Sequence, residues 1–572
     1  MKKKVIPVLV VIALIIVIAG GIVISTLIEK YTPGTERQDL SEYYNITSED
    51  QAAIILNQEL SESSAKIIDG KLYLDFHFLQ DSLNSRFYWD SNENILLYTT
   101  ANDLITVEAD SSTYLLNKDN VSFDSTIVKA TSDSAWVNID FAKMYSDFQY
   151  SYEESPARII ITNTWGDYET SIVKKDTQIR VLGGIKSPIV ADVEKNTEVF
   201  VLARDEKWTK IMTQDGLLGY IQSKHLGKTS SITMESDYVE EEFTHIQKDF
   251  EISLAWHQVF SKVSTTDLAS VLSDTKGINV LSPTWFYLND NEGNLVSFAD
   301  SSYVKYCHDH NIEVWALVNN LENAEVDTAY VLSHTSTRQN LVNQLISAAI
   351  QYNLDGINLD FESLNAKKVG DSYIQFVREL SLKCANNGIV LSVDNYVPSA
   401  YTQFYDRAEQ ALFADYVIIM GYDEHYAGSE EAGSVASINW VKEAVTNTLK
   451  EVPAEQIILG MPFYTRVWEL APAEEESQDY VIYDITSKAY GMDAAWKLVN
   501  NHGAETQWLE DCGQYYAEYT EGDSIFKIWL EDTTSMEERL KVMDENHLAG
   551  AAYWKLGFES DNIWDTIIKY VN

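Results

Sequence analysis

At 572 residues the chain is too long for one hydrophobic core, and its length implies about three or four domains. Hydrophobic residues make up 45% of it and aromatics 12%, enough apolar surface to fold most of the chain, so the composition is not that of a disordered protein. Acids outnumber bases by 87 to 42, and the formal charge of -45 repels phosphate backbones and anionic lipid surfaces, which argues against a nucleic-acid partner. The three cysteines, Cys307, Cys384 and Cys512, form neither a disulfide framework nor a CxxC pattern. The ten histidines lack HExxH spacing, so neither a metal nor a cofactor is expected. His308 and His310 flank Asp309 in CHDHN, which reads as a loop or helix end.

At the amino terminus three lysines precede an uncharged run from Val5 to Ile28, which as a helix spans roughly 36 Å and is long enough to cross a bilayer. Residues 1–28 therefore read as a lysine cluster and a membrane anchor. The lysines stay cytoplasmic and the rest of the chain lies outside, facing the cell wall. A cleaved signal peptide is the competing reading, but its apolar region is usually shorter and ends in a small-residue cleavage site.

Residues 29–65 read as a linker, with one helix at SEDQAAIILNQEL. Within 66–164 a weak repeat follows, because KLYLDFHFLQDSLNSRFYWDSNENILLYTT is echoed by AWVNIDFAKMYSDFQYSYEESPARIIITNT. Each copy runs from an alternating strand through a short helix to an apolar strand, as one α+β module requires. This segment resembles the amine-oxidase-N-terminal-like stalk domains found outside bacterial cells, and it reads as a spacer. Residues 178–227 have short β-rich runs bounded by turns, the pattern of a small β-barrel. Trp208, Asp215-Gly216 and Gly219-Tyr220-Ile221 resemble the bacterial SH3 module. That resemblance implies either a grip on wall peptides or a rigid spacer, and Trp208 fits plain core equally well. A polar, acid-rich linker covers 228–250.

From 251 to 572 strands alternate with helical stretches: ISLAWHQVF, INVLSPTWFYL, IEVWALVNN, DGINLDFE, IVLSVDNYV, YVIIMGYDE, IILGMPFY and AGAAYWKLGF. Eight such strands predict an α/β fold, a (β/α)8 TIM barrel with its chemistry at the carboxyl ends of the strands. The interval of about 470–545 predicts a small inserted β-rich subdomain.

In DGINLDFE a period of two places Asn358, Asp360 and Glu362 on the barrel side and Ile357, Leu359 and Phe361 toward the helices. Two carboxylates enclosed at a strand end need hydrogen bonds or a shared proton. Like charge in a confined site raises one pKa, so Glu362 is expected to hold a proton near neutral pH beside an ionised Asp360.

This stretch, with Asp355 at its head, resembles the DGxDxDxE signature of glycoside hydrolase family 18, which includes chitinases and wall N-acetylglucosaminidases. Met420-Gly421-Tyr422-Asp423 resembles that family's MxYD strand end, GMPFYTRVW its seventh strand, and Trp554 the tryptophan of its last strand. The resemblance implies that Glu362 is the general acid and that Asp360 orients the substrate's acetamido group. The acetamido oxygen is then the nucleophile and configuration is retained. It further implies that Tyr422, Met420 and Asp423 line the same subsite and that Trp554 is its apolar floor. Tyr464 and Arg466 are candidates to reach substrate, with an Arg466–Asp423 pair as the equal alternative, and Trp285 is a candidate stacking face at a strand end. One position departs from the family: Asn358 stands where the first aspartate is expected, and it can neither accept a proton nor share charge.

The NxDxE form resembles the spore-cortex and wall-lytic branch, which favours peptidoglycan. Chitin or a chitooligosaccharide stays open as substrate, and so does a non-catalytic glycan-binding role.

Overall fold

The computed structural model describes residues 2–132, 134–262, 268–473 and 483–571. The chain divides into two compact units. One comprises Met1–Trp89, Val107–Leu115 and Asp119–Glu240; the other comprises Asp90–Thr106, Leu116–Lys118 and Glu241–Asn572.

The first unit opens with the helix Lys2–Tyr31, whose segment Ile6–Tyr31 is long and apolar enough to cross a membrane. The helix expected at SEDQAAIILNQEL is instead a hairpin. Gln51–Leu56 pairs with Glu59–Ile68 around Asn57 and Gln58, both at positive φ. Gln51–Leu56 also pairs in parallel with Ala157–Thr162, so Ala52 to Ile55 are buried on both faces. A strand buried on both sides reads as a continuous apolar run, which periodicity cannot distinguish from a buried helix.

The two copies of the repeat meet directly, Lys71–Asp75 lying antiparallel to Ala135–Asn138. Each strand feeds a short helix whose first N–H groups are accepted by Asp75 in one copy and Asn138 in the other. A second seven-stranded sheet includes Gly166–Val173 and Leu226–Met234, which pair along most of their length and extend the β-rich region beyond 178–227.

In the second unit eight parallel strands close on themselves. They are β1 (Ile252–His257), β2 (Val280–Leu288), β3 (Glu313–Asn319), β4 (Gly356–Asp360), β5 (Val390–Tyr396), β6 (Tyr416–Met420), β7 (Ile457–Pro462) and β8 (Gly550–Trp554). All eight fall on the eight expected segments, and β1 pairs with both β2 and β8. Closure at β8 demands glycine: Gly550 sits at φ 155°, where a Cβ would lie 2.0 Å from the Ile252 carbonyl oxygen. Apolar side chains fill two layers. Trp256, Leu254, Trp315, Tyr416 and Ile418 pack inside the barrel. Ile357, Leu359 and Phe361 pack toward the helices, among them α1 (Thr335–Tyr352) and α2 (Ser372–Asn386).

The insertion begins earlier and ends earlier than expected. Strands Tyr464–Pro472, Tyr483–Gly491, Thr506–Leu509, Gln514–Glu521 and Ser524–Leu530 form a five-stranded sheet. Thr533–Glu545 is already the helix that precedes β8, and 474–482 lies outside the described residues.

The segment Asp90–Thr106 belongs to the barrel's unit and supplies a cap to it. α1 has no capping bond from its own preceding residue, His334. Asp90 Oδ2 instead accepts from the Thr335 backbone N–H and hydroxyl, both at 2.7 Å, with Asp90 only 1% exposed. Asp90→Ala is therefore expected to cost about 1–2 kcal/mol, as loss of a helix cap does. Scanning calorimetry should show a lower midpoint for the barrel's transition; an unchanged midpoint would mean the cap contributes nothing.

Candidate active site

The carboxyl end of β4 positions the acids. Gly356 begins the strand with no side chain because a Cβ would lie 2.7 Å from the Trp315 ring. Two residues on, Asn358 is fully buried and all four of its hydrogen bonds are made. Its carbonyl oxygen accepts from Trp256 Nε1 and Ser282 Oγ, each at 2.9 Å. Its amide nitrogen donates to Ser392 Oγ at 3.1 Å and to Asp394 Oδ1 at 2.7 Å.

Above Asn358, Asp360 and Glu362 line a cavity of about 150 Å³. Asp394 and Tyr396 of β5 line it as well, because Ser392, Asp394 and Tyr396 alternate onto the inner face. Met420 and then Tyr422 and Asp423 come from the end of β6, and Trp554 from the end of β8. Trp256 completes a nest of aromatic edges, its ring centroid 5.8 Å from Trp554 and 6.4 Å from Tyr422.

Asn320, just past β3, clamps the backbone of Glu362: its Oδ1 accepts from Glu362 N–H at 2.8 Å and its Nδ2 donates to the Glu362 carbonyl at 3.0 Å. A second cavity, of about 360 Å³, is lined by Ser363 and Asn365, which directly follow Glu362, with Asn320, Asp327 and Lys368.

Burial pushes Asp360 well above the usual carboxylate range, and the neighbouring charges of Glu362 and Asp394 add to the effect. Burial raises Asp394 too, against a hydrogen bond from Asn358 that favours its anion. Glu362 is raised by burial, while the Tyr396 hydroxyl bonds its carboxylate and opposes the rise; Asp423 adds to it. The simple division into a protonated Glu362 and an ionised Asp360 thus meets a third carboxyl. Asp360, Glu362 and Asp394 stand together in this enclosure, and the ionisation of one opposes that of the others.

Of the other predicted site residues, Tyr464 lines the cavity and donates to Asp423 Oδ1 at 2.6 Å. Arg466 lies 4.0 Å from Asp423 and bonds Ser487, so the guanidinium stands next to the acid. Two residues lie elsewhere. Asp355 precedes β4 and so sits at the opposite end of the barrel, where its Oδ2 takes the Val314 N–H and the His308 ring, each at 2.8 Å. Trp285 is fully buried in the helix-facing core against Tyr303, 4.9 Å between ring centroids, so it has no face to offer a sugar. The β2 ladder is irregular between Thr284 and Phe286, which breaks the alternation that an aromatic near a strand end suggests. Asp394, Tyr396 and Asn320 escaped the sequence reading, although the inward alternation of Ser392, Asp394 and Tyr396 in VLSVDNY was a readable signal. Among the described residues, no group of three or more His, Cys, Asp or Glu side chains is placed to hold a metal ion.

The model of the Glycosyl hydrolases family 18 matches residues 231–559, more than half of the chain. The chain belongs to glycosyl hydrolase family 18. The Copper amine oxidase N-terminal domain model matches residues 55–161. Among curated relatives, the chain is 26% identical over 321 residues to the uncharacterized glycosylase YvbX of Bacillus subtilis (strain 168), covering 54% of this chain and 89% of that protein. It is 24% identical over 264 residues to the cortical fragment-lytic enzyme of the same organism, covering 44% of this chain but only 59% of that one. The C-terminal domain of a putative chitinase from Desulfitobacterium hafniense DCB-2 superposes with a TM-score of 0.50 at 21% identity, covering 56% of this chain and 98% of that one, a likeness of fold.

The Tyr396 hydroxyl bonds the Glu362 carboxylate and opposes the rise in its pKa. Tyr396→Phe therefore raises the pKa of Glu362 further. If Glu362 is the general acid that the family resemblance implies, it must be protonated to act, and activity is lost as pH rises through its pKa. The alkaline limb of the pH–kcat profile is therefore expected to move to higher pH in Tyr396→Phe; a limb that stays in place or moves down would refute the assignment.

Proposed function

We propose that the protein is a membrane-anchored, outward-facing glycosidase that hydrolyses β-1,4 bonds at N-acetylglucosamine in peptidoglycan, with retention of configuration. The observation that carries this reading is the cavity at the end of β4. Glu362 and Asp360 share it with an aromatic floor, Trp554, and with Tyr422 as a hydroxyl donor.

In this mechanism Glu362 gives its proton to the glycosidic oxygen as the C1–O bond breaks. The acetamido carbonyl oxygen of the same sugar forms a bond to C1, and the resulting ring cation is stabilised by the Asp360 carboxylate, which accepts from the acetamido N–H. Tyr422 donates to the acetamido oxygen. Water then attacks C1, returning a proton to Glu362 and reopening the ring, so two inversions restore the starting configuration. The enclosed, low-dielectric cavity strengthens each of these interactions relative to water.

Several features support a wall location. The apolar helix Ile6–Tyr31 suits an anchor, with Lys2 to Lys4 on the cytoplasmic side. The sheet of 166–234, with a 3-10 turn at Ser223–His225 before its last strand, suits an SH3-like module that tethers the chain to wall peptide. A net charge of -45 disfavours anionic polymers bound by charge alone and fits a glycan gripped by ring stacking and hydrogen bonds.

The test is digestion of purified peptidoglycan and of chitin oligosaccharides by residues 34–572, with Glu362→Gln alongside and new ends read by mass spectrometry. Muropeptides newly ending in N-acetylglucosamine are expected, with kcat lowered about 10²–10⁴-fold by Glu362→Gln. Cleavage of chitin alone would move the substrate; binding without cleavage by either protein would leave a lectin.

A further inference from the structure

Besides Asp423, which Tyr464 bonds, the cavity holds a further acid that the reaction above does not employ. Asp394 projects from β5 with 3% of its surface exposed, and it is fixed by the amide of Asn358 at 2.7 Å. That amide has only one orientation open to it. Indole Nε1 of Trp256 can only donate, so the oxygen of Asn358 must face it and the nitrogen must face Asp394. Asn358 therefore presents N–H to Asp394 and has no site for a proton. Asp360 lacks any such support: its Oδ1 is enclosed and no hydrogen-bond partner reaches it. A bare, enclosed carboxylate oxygen is costly, and the cost is relieved when the carboxyl holds a proton or when a substrate N–H arrives.

We infer that Asp394 is a positioning residue that exchanges one proton with Asp360. The inference rests on the roles given above to Glu362 and Asp360. In the empty site the proton sits on Asp360 and relieves its unpartnered oxygen, while Asp394 is an anion held by Asn358. When the acetamido group enters, its N–H takes over at Asp360 and the proton passes to Asp394. Asp360 is then an anion facing the ring cation. One O–H bond breaks and another forms, with no change in net charge, and the proton returns as product leaves. The exchange is separate from the proton that Glu362 gives to the leaving oxygen and regains from water.

The surroundings leave this exchange to the carboxyls. Glu362 faces the pair from the end of β4, and Tyr422, followed by Asp423, from the end of β6. Tyr373 of α2 lies close to both acids with its buried hydroxyl unpartnered, and Tyr405 stands near Asp360. Burial pushes all three tyrosines above their ordinary range, so they stay neutral where the acids titrate. Tyr396 bonds Glu362, Tyr464 bonds Asp423, and the Arg466 guanidinium is 4.0 Å from Asp423.

The experiment compares the full chain with Asp394→Asn and with the double variant Asn358→Asp/Asp394→Asn. The first removes the like charge and keeps the shape; the second moves the carboxyl across the same hydrogen bond. On whichever glycan the wild type turns over, Asp394→Asn leaves Asp360 no partner to take its proton, so Asp360 must lose that proton to solvent and the acid limb of kcat/KM should move up by about one pH unit; the double variant should bring it back. A purely structural Asp394 would lower activity without moving the limb, and a limb unmoved in Asp394→Asn overturns the inference.

A substrate-free arm separates this result from the substrate assignment. In a Glu362→Gln background, the infrared band of protonated carboxyls is followed against pH. Among the carboxyls that stay protonated above the ordinary aspartate range of about 4, a group that includes the buried Asp415, one is expected to titrate lower once Asp394→Asn is added. If every carboxyl ionises in the ordinary range, or if none titrates lower with Asp394→Asn, the exchange does not exist, whatever the enzyme cuts. If Asp394→Asn does not fold by circular dichroism, the double variant and this titration decide.

Discussion

The site depends on the amide of Asn358. It lies at zero exposure inside the barrel and bonds Trp256 of β1, Ser282 of β2, and Ser392 and Asp394 of β5, so one side chain of β4 ties four strands together. In a low-dielectric interior, a polar group with every bond made rigidifies its surroundings, whereas one left half-satisfied costs free energy. The bonds fix the height of β4 in the barrel. Asp360 and Glu362 are thereby delivered to the mouth, and Asp394 is aimed at them rather than at solvent.

The outer layer solves a related problem with charge. Arg338 and Glu379 pair at 2.9 Å and Arg539 and Glu531 at 2.7 Å, each side chain almost fully buried. Arg407 and Arg378, also buried, reach Glu451 and Glu409. In a chain with twice as many acids as bases, these arginines each take an acid partner and often a backbone carbonyl as well, as Arg338 does at Leu332 and Arg539 at Ala436. Such pairs add little compared with an apolar isostere, but removing one partner leaves a buried charge alone. They hold the helices in register around a barrel whose interior is already committed to aromatic packing.

The sequence was most legible where structure is periodic. Eight apolar runs and the alternation in INLDFE were enough to place the barrel and to turn Asp360 and Glu362 toward its mouth, because a strand's period of two leaves few choices. It was least legible where partners come from afar. AAIIL reads equally as helix or strand until its neighbours on both sides are known. Trp285 reads as a sugar platform until the irregular ladder of β2 and the ring of Tyr303 are seen to bury it. Asp355 looks like part of the acidic motif, yet the strand's direction carries it to the far end of the barrel.

The sequence by itself determined the family, the barrel, and which acids end its fourth strand, since these follow from local alternation and from motifs within a few residues. Only the tertiary structure decided how those acids share protons. Whether a carboxyl ionises depends on what encloses it and which charges stand beside it. Those neighbours, Asp394 and Tyr396 from β5 and Asn320 after β3, are brought to Glu362 and Asp360 by the closure of the barrel and not by their distance along the chain.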